Sequence, residues 1–333
     1  MQHRSLGRVR RISGAGLALL AFVLAVVASV AAVEEVKVGH QPTITTAPVY
    51  IAVENRYFAE EGLNVQVTAF ASSGKQMPAL ATGLLDVGTG APGAALFNAI
   101  AQGMDFKVVA DKGQIRPGMS AGGLMVRQDL WDSGEVRSPK DMVGRRILSY
   151  APGIQIDILI IETLKKYGAQ WKPENRIYMP PPKIISAFQT KVVDIATAVE
   201  PWITRTQRAG LGKILISYED LELTRDAQIG VTIYSGAFSR TRKEAAKKFM
   251  KAYVKGVRFY TEHGLKNPEV TKILTKHTKV PVEDIAATIP FYLDKDGRPN
   301  VSSIMRFQDW FFDNGYTKKK VPQEQIIDLS FLN

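Results

Sequence analysis

The stretch that decides the fold is residues 36–70, VKVGHQPTITTAPVYIAVENRYFAEEGLNVQVTAF. It opens and closes with short runs rich in valine, which predict strands at 36–39 and 65–70. Between them, apolar residues recur at spacings of three and four over 48–61, which predicts a helix that ends at Gly62. A strand, a helix and a strand in this order are typical of a βαβ unit with parallel strands.

The same alternation continues along the chain, and the connections are only a few residues long. Such units place ligands where the carboxyl ends of strands meet helix N-termini. A length of 333 residues favours about two domains of roughly 150 residues each. Further strands are predicted at 84–87, 106–110, 123–127, 146–150, 176–179, 192–198 and 229–234, and helices at 75–82, 92–102, 154–167, 183–189 and 240–263.

The N-terminus has the pattern of an export signal. Four arginines and no acidic residue lie in 1–12, an uncharged run covers 13–33, and small residues at 28–32 fit signal-peptidase cleavage. We therefore predict a signal peptide over 1–32 and a periplasmic mature protein. An uncleaved membrane anchor is the alternative, because an uncharged run of this length can span a bilayer.

Charge and cysteine content exclude several classes of protein. The formal net charge is +11, but four of the 43 basic residues lie in the predicted signal, so the mature chain has only a mild basic excess. The basic side of the helix at 240–263 is most simply a solvated face, and we predict no nucleic-acid partner. The absence of cysteine excludes disulfides, a thiol nucleophile, Cys-ligated metal and a cysteine-borne lipid anchor.

Motifs of catalysis and metal binding are also absent. The sequence contains no G-x-S-x-G, Walker A or H-E-x-x-H string. Beyond the predicted signal, His40, His263 and His277 have no metal-ligand spacing. We predict a protein without enzymatic activity, metal or cofactor.

Several glycine- and serine-containing turns follow predicted strands. GTGAPG at 88–93 has the G-x-G-x-x-G form of a dinucleotide site, yet it lies in a later βα unit of an exported protein. We interpret it as a turn with free backbone N–H groups, as we do Ser72-Ser73-Gly74 and APGIQ at 151–155. Each of these turns, taken alone, is also compatible with simple helix capping.

Glu200-Pro201-Trp202 follows the strand predicted at 192–198. A carboxylate and an indole at this position could accept a ligand N–H and cover a flat ring. A glutamate at a helix start beside a core tryptophan explains the residues equally well.

Three segments then carry a family resemblance: PVYIA at 48–52, YFAEEGLNV at 57–65 and ALATGLLDVG at 79–88. They resemble the solute-binding proteins of nitrate/sulfonate/taurine-type ABC importers, whose relatives include thiamine-precursor and riboflavin binders. DMVGRR at 141–146 and VDIA at 193–196 continue the resemblance. Lys191 departs from it, where the family often has glycine, and Met142-Val143 replace Leu-Lys.

The resemblance implies an α/β type II periplasmic binding protein with two lobes, each a mainly parallel sheet flanked by helices. Lobe I would comprise 33–120 plus 232–333, and lobe II 121–231, with hinge strands near Gly122 and Gly230. A small-molecule ligand in the cleft would shift an open form to a closed one. The closed monomer would then dock on an ABC permease of the inner membrane.

Carried over position by position, the resemblance also implies the binding residues. Helix N-termini would hold a polar head group, Glu200 would accept from an amine or hydroxyl, and Trp202 or Tyr150 would stack on the ligand. The expected ligand is a small organic molecule, such as a sulfonate or a pyrimidine-like heteroaromatic. The implied residues are Gln41, Thr43, Thr45, Ser72, Ser73, Gly74, Thr89, Gly90, Ala91, Asp111 with its neighbour Lys112, Tyr150, Gly153, Gln155, Glu200 and Trp202.

Two other functions fit the same resemblance. A ligand-sensing protein for a membrane receptor would need the same cleft but a different partner. An enzyme similar to the fungal thiamine-pyrimidine synthases would need their cysteine-rich motif, which this chain lacks.

Overall fold

Two five-stranded sheets flanked by helices organise the chain in a computed structural model that describes residues 33–332. The predicted signal peptide at 1–32 lies outside these residues. The strands are β1 (Glu34–His40), β2 (Leu63–Ala69), β3 (Val87–Gly90), β4 (Phe106–Gln114), β5 (Gly122–Arg127), β6 (Ile147–Ser149), β7 (Arg176–Tyr178), β8 (Ile195–Val199), β9 (Gly212–Ser217) and β10 (Gln228–Ser235).

The helices cover the faces of the sheets. Within the described residues, none combines the length and the apolar character needed to cross a membrane. They are α1 (Ala47–Glu54), α2 (Tyr57–Glu60), α3 (Met77–Ala81), α4 (Ala94–Ala101), α5 (Gln128–Asp132), α6 (Asp157–Lys166), α7 (Ile184–Gln189), α8 (Trp202–Arg208), α9 (Gly236–Thr241), α10 (Lys243–His263), α11 (Pro268–Thr278), α12 (Val282–Ala287), α13 (Val301–Asp313) and α14 (Gln323–Ile326).

The two sheets share one topology. The first has the order β2-β1-β3-β10-β4 and the second β7-β6-β8-β5-β9. In each, four strands run in the same direction and one, β10 or β5, is antiparallel to its neighbours. The predicted two-sheet α/β fold is confirmed. The first sheet takes its strands from 34–114 and 228–235, and the second from 122–217.

The βαβ unit at the start of the chain forms as predicted, with one break. β1 and β2 pair in parallel, and the valines Val36 and Val38 are fully buried. The single helix expected at 48–61 is instead two helices, because Arg56 adopts the left-handed conformation at φ 61°. Gly62, at φ 75°, ends the second helix as predicted.

Two strand predictions need correction. The strand expected at 84–87 is β3, which begins only at Val87, while Leu84 is 67% exposed. Gly88-Thr89-Gly90 therefore belongs to a strand rather than to the turn that the G-x-G-x-x-G string suggested. β9 (Gly212–Ser217) was not predicted, although its apolar KILI run is a strand signal.

The long helix α10 confirms the interpretation of its basic side as a solvated face. Phe249 and Tyr253 on its other side are fully buried. Lys251 and Lys255 pair with Glu61 and Glu60, each at 2.6 Å. The lysines therefore face solvent and acids of this same chain.

Candidate functional site

A cavity of about 90 Å³ lies between residues of the two sheets. Most of its wall comes from the turns that follow β1, β2, β3, β6, β7, β8 and β9, so the carboxyl ends of strands from both sheets converge on it. The lining residues are Gln41, Thr43, Thr45, Ser72, Ser73, Ala91, Gly93, Lys112, Ala121, Tyr150, Ile154, Gln155, Ile156, Pro181, Val199, Glu200, Tyr218 and Ile229.

The structure brings many of the predicted binding residues together at this cavity. Its lining includes Gln41, Thr43, Thr45, Ser72, Ser73, Ala91, Tyr150, Gln155 and Glu200. The remaining predicted residues do not line it, and these are Gly74, Thr89, Gly90, Asp111, Gly153 and Trp202.

Thr89 and Gly90 do not line the cavity, because they are the last two residues of β3 and belong to the first sheet. The Thr89 backbone N–H donates to Gln76 Oε1 at 3.1 Å, and its hydroxyl donates to the Gly39 carbonyl at 3.1 Å. A Cβ on Gly90 would collide with the Ser73 side chain, so this glycine allows β3 to approach the turn after β2 closely.

Gly74 and Gly153 lie in turns next to the cavity but do not line it. Gly74 opens a short 3-10 turn at Gly74–Gln76 ahead of α3. Gly153 has φ 69°, and its carbonyl accepts from the Ala94 backbone N–H at 3.1 Å. That bond links the second sheet's segment to the first residue of α4.

Asp111 is fully buried and its carboxylate is occupied by the protein itself. Its two oxygens accept from the Gly113 and Asp294 backbone N–H groups, at 2.7 and 2.8 Å, and from the side-chain amides of Gln228 and Gln114, at 2.7 and 2.9 Å. Burial raises the pKa of Asp111 to about 6, against the effect of these four donors. The residue therefore crosslinks β4, β10 and the loop at Asp294.

The neighbouring residue, Lys112, is the cation of the cavity wall. Its side chain is almost fully buried, and Nζ donates to Thr45 Oγ1 at 2.8 Å. Thr45 Oγ1 lies 3.0 Å from Thr43 Oγ1. Burial lowers the pKa of Lys112 to about 7, because the charged form loses its hydration. The sequence singled this lysine out only as the neighbour of Asp111.

Glu200 lines the cavity, yet donors of the protein already surround its carboxylate. Oε2 accepts from the Thr204 backbone N–H at 3.1 Å, while Oε1 accepts from the Thr204 hydroxyl at 2.9 Å and the Ile289 backbone N–H at 3.0 Å. Burial raises its pKa. The carboxylate therefore stabilises the start of α8 and has little free acceptor capacity for a ligand amine.

Trp202 does not line the cavity. It is 7% exposed, and the Arg205 guanidinium lies over its ring at 5.2 Å from the centroid. Of the two aromatic residues expected to stack on a ligand, only Tyr150 lines the cavity.

The second sheet's segment supplies a largely apolar and aromatic wall. Tyr218 lies beside Tyr150 there, and its hydroxyl donates to Gln155 Oε1 at 3.2 Å. Tyr218 and Pro181 were missed by the sequence analysis. Both follow strands, so the tendency of ligands to bind at the carboxyl ends of strands could have identified them. The other unpredicted residues are Gly93, Ala121, Ile156, Val199 and Ile229, whereas Ile154 lies in the predicted turn at 151–155.

Two sheets of this topology with a cavity between their strand ends define the class of two-lobed periplasmic binding protein folds. The family model of the NMT1-like family matches residues 30–275, and the chain belongs to this family. The predicted resemblance to nitrate/sulfonate/taurine-type solute-binding proteins is thereby confirmed. No curated protein matches the sequence of this chain.

Solved structures share the fold at low sequence identity. The alkanesulfonate-binding protein SsuA from Xanthomonas axonopodis pv. citri, bound to MOPS, has a TM-score of 0.69 and 20% identity over 87% of this chain and 96% of its own. The periplasmic nitrate-binding protein NrtA from Synechocystis PCC 6803 has a TM-score of 0.74 and 17% identity over 90% and 87%. The desulfurization enzyme DSZB has a TM-score of 0.63 and 15% identity over 90% of this chain and 97% of its own. The fold therefore also occurs in an enzyme.

Proposed function

We propose that this protein is the substrate-binding component of an ABC importer and captures a small organic ligand in the cavity between the two sheets. The observation that carries the proposal is the convergence of strand-end turns from both sheets on one cavity. A ligand held there would contact both halves of the protein at once. Membership of the NMT1-like family and the fold shared with SsuA and NrtA support the same function.

Two lobes follow from the sheets. One would be built on β1–β4 and β10 with the C-terminal helices, and the other on β5–β9, with the chain crossing between them at 115–121 and 218–227. Rotation about these two crossings would open the cavity, and ligand contacts to both lobes would favour the closed form. The closed monomer would deliver its ligand to a permease at the inner membrane, after export directed by residues 1–32.

Native mass spectrometry of the purified mature chain tests ligand capture directly. A retained small molecule of defined mass, released on denaturation and rebound with 1:1 stoichiometry, is the expected result. Added at about 100 times its dissociation constant, it should stabilise the fold by about 2.7 kcal/mol and raise the melting temperature by a few degrees. Conversion of the molecule during prolonged incubation would contradict a pure binding role and favour an enzyme.

Two substitutions locate the binding site. Tyr150→Ala removes a ring from the cavity wall and should weaken rebinding. Trp202→Phe changes an aromatic residue that does not line the cavity, and it serves as the matched control. If the Tyr150→Ala variant and the unaltered protein bind the ligand with equal affinity, this cavity is not the binding site.

A further inference from the structure

In the part of the chain that the structure describes, Lys112 places an ammonium group in the cavity wall without a carboxylate in direct contact. Its side chain is almost fully buried near the end of β4, and its Nζ donates to the neutral hydroxyl of Thr45 at 2.8 Å. Among the residues that the structure describes, no carboxylate oxygen lies within 4.0 Å of this ammonium. A buried charge without a partner is costly, so an anion in the cavity would be strongly favoured there.

The acid next to Lys112 in the chain and the acid in the cavity wall both have other partners. Asp111, next to Lys112 in the chain, turns its carboxylate to four donors of β4, β10 and the Asp294 loop. Glu200 is the one acidic residue of the cavity wall, and its two oxygens accept from Thr204 and Ile289. As far as the described part of the chain goes, the cavity therefore presents a cation with hydrogen-bond donors and no carboxylate free to pair with it.

The ammonium of Lys112 and most of the larger aliphatic side chains lie on different parts of the wall. The first sheet's turns place the hydroxyls of Thr43 and Thr45 close to Lys112, and Gln41, Ser72 and Ser73 line the same segment. The second sheet's segment contributes Tyr150, Ile154, Ile156, Pro181 and Val199. It also contributes Gln155 and Glu200, whose side-chain oxygens accept from Tyr218 and Thr204. A ligand with one charged end and one apolar end matches this division.

We propose that the cavity binds a small organic anion, a carboxylate or sulfonate on an apolar body, with its charged group on the Lys112 ammonium and the Thr45 hydroxyl. The apolar body would lie against Tyr150 and the aliphatic residues of the second sheet's turns. This inference rests on the proposed binding function and specifies its ligand. It reverses the sequence-based expectation that Glu200 would receive an amine or hydroxyl of the ligand.

A thermal-shift screen with matched compounds tests the proposal. The set contains small carboxylates and sulfonates, each with its uncharged amide or sulfonamide, together with primary amines on the same aromatic and aliphatic bodies. Calorimetry then measures the dissociation constants of the best compound and its uncharged counterpart. We expect the anion to bind about 10- to 100-fold more tightly, as for a hydrogen bond to a charged group.

Variants of Lys112 assign that preference to its charge. Lys112→Met should bind the anion no more tightly than its uncharged counterpart. The same is expected of Lys112→Gln, which keeps a hydrogen-bond donor for Thr45. Both remove a buried charge and should fold at least as stably as the unaltered protein. Lys75→Met is the matched control, because it removes the same charge from an exposed residue beside the Ser72–Gly74 turn.

Each outcome decides between the two proposals. Anion preference that disappears in both Lys112 variants and persists in Lys75→Met supports the inference. Binding of uncharged compounds or amines in preference to anions, or anion binding unchanged in Lys112→Met, overturns it and leaves the binding function standing. Failure of every compound to bind, with no ligand retained on purification, overturns both.

Discussion

Glu200 accepts a hydrogen bond from the backbone N–H of Ile289 at 3.0 Å, although 89 positions separate the two residues in the chain. Glu200 lies at the end of the second sheet's β8, and Ile289 follows α12 in the C-terminal helical region. Beside this bond, Arg205 and Arg208 of α8 pair with Asp284 of α12 at 3.3 and 2.9 Å. Together these contacts tie the second sheet's segment to the C-terminal helices, and Glu200 brings this connection to the cavity wall.

Substitution of Glu200 by alanine should therefore destabilise the protein. The change leaves the backbone N–H groups of Thr204 and Ile289 without their acceptor, and each buried donor left unpaired costs about 1–3 kcal/mol. We expect urea unfolding to show a loss of about 2–4 kcal/mol. The exposed Glu174→Ala should change stability by no more than about 0.5 kcal/mol. A Glu200→Ala variant as stable as this control would mean that the carboxylate does not carry the contact.

Local sequence patterns were sufficient to predict most elements of the fold. The valine runs and the helical spacing at 36–70 predict β1, α1 and β2, because strand and helix periodicities differ. The carboxyl-end rule then places the turns after β1, β2 and β6 on one site. These predictions need no knowledge of residues far away in the chain.

Side-chain partners could not be predicted in the same way. Glu200 and Trp202 follow a strand as a ligand-binding pair would, but Glu200 is occupied by Ile289, a partner that only the folded C-terminal region brings near. Lys112 sits within a strand, where a lysine is ordinarily expected to face solvent, and only packing shows its burial. The charge character of the cavity therefore depends on tertiary contacts.

Anion binding should weaken as pH rises above 7. Burial lowers the pKa of Lys112 to about 7, so the ammonium is half ionised at this pH and is lost progressively above it. Of the groups near it, His40 has a pKa lowered to about 4 and Asp111 one raised to about 6, so neither titrates appreciably above pH 7. The dissociation constant should rise up to about 10-fold per pH unit between 7 and 9.

Calorimetry of the best carboxylate at pH 6, 7, 8 and 9 measures this dependence. Titrations at pH 8 in two buffers of different ionisation enthalpy should also show proton uptake on binding, because the anion raises the pKa of Lys112. The Lys112→Gln variant should give a flat profile. A flat profile in the unaltered protein would argue against the ammonium as the anchor.

Asp157 should make stability fall as pH rises from about 4 to 7. Its side chain is 1% exposed, Oδ1 accepts from the Ser149 hydroxyl, and Oδ2 has no partner among the described residues. Burial raises its pKa to about 7, against a lowering influence from Arg176, while Tyr150, Tyr178, Tyr218 and Tyr316 also lie near it. An aspartate in the unfolded chain has a pKa of about 3.9. Between this pH and about 7, Asp157 is protonated in the folded protein and ionised in the unfolded chain, so raising the pH through this range favours unfolding.

Asp157→Asn removes that titration. The stability of the variant relative to the unaltered protein should be greater at pH 8 than at pH 5, as measured by urea unfolding at both values. Asp132→Asn, at an exposed position, is the matched control and should show no such difference. If the free energy of unfolding of Asp157→Asn differs from that of the unaltered protein by the same amount at pH 5 and pH 8, the buried carboxyl does not titrate in this range.

Gly256→Ala should destabilise the contact between α10 and α1. A Cβ at this position would collide with the Pro48 carbonyl oxygen and lie 3.3 Å from Ala52 Cβ. Alanine favours a helix over glycine by about 1 kcal/mol, but overpacking a fixed helix contact costs about 1–3 kcal/mol and backbone atoms cannot rotate away. We expect a net loss of up to about 2 kcal/mol in urea unfolding. Thr261→Ala, on the exposed side of the same helix, isolates helix propensity and should be neutral or slightly stabilising. A Gly256→Ala variant more stable than the unaltered protein would mean that the two helices can separate without loss.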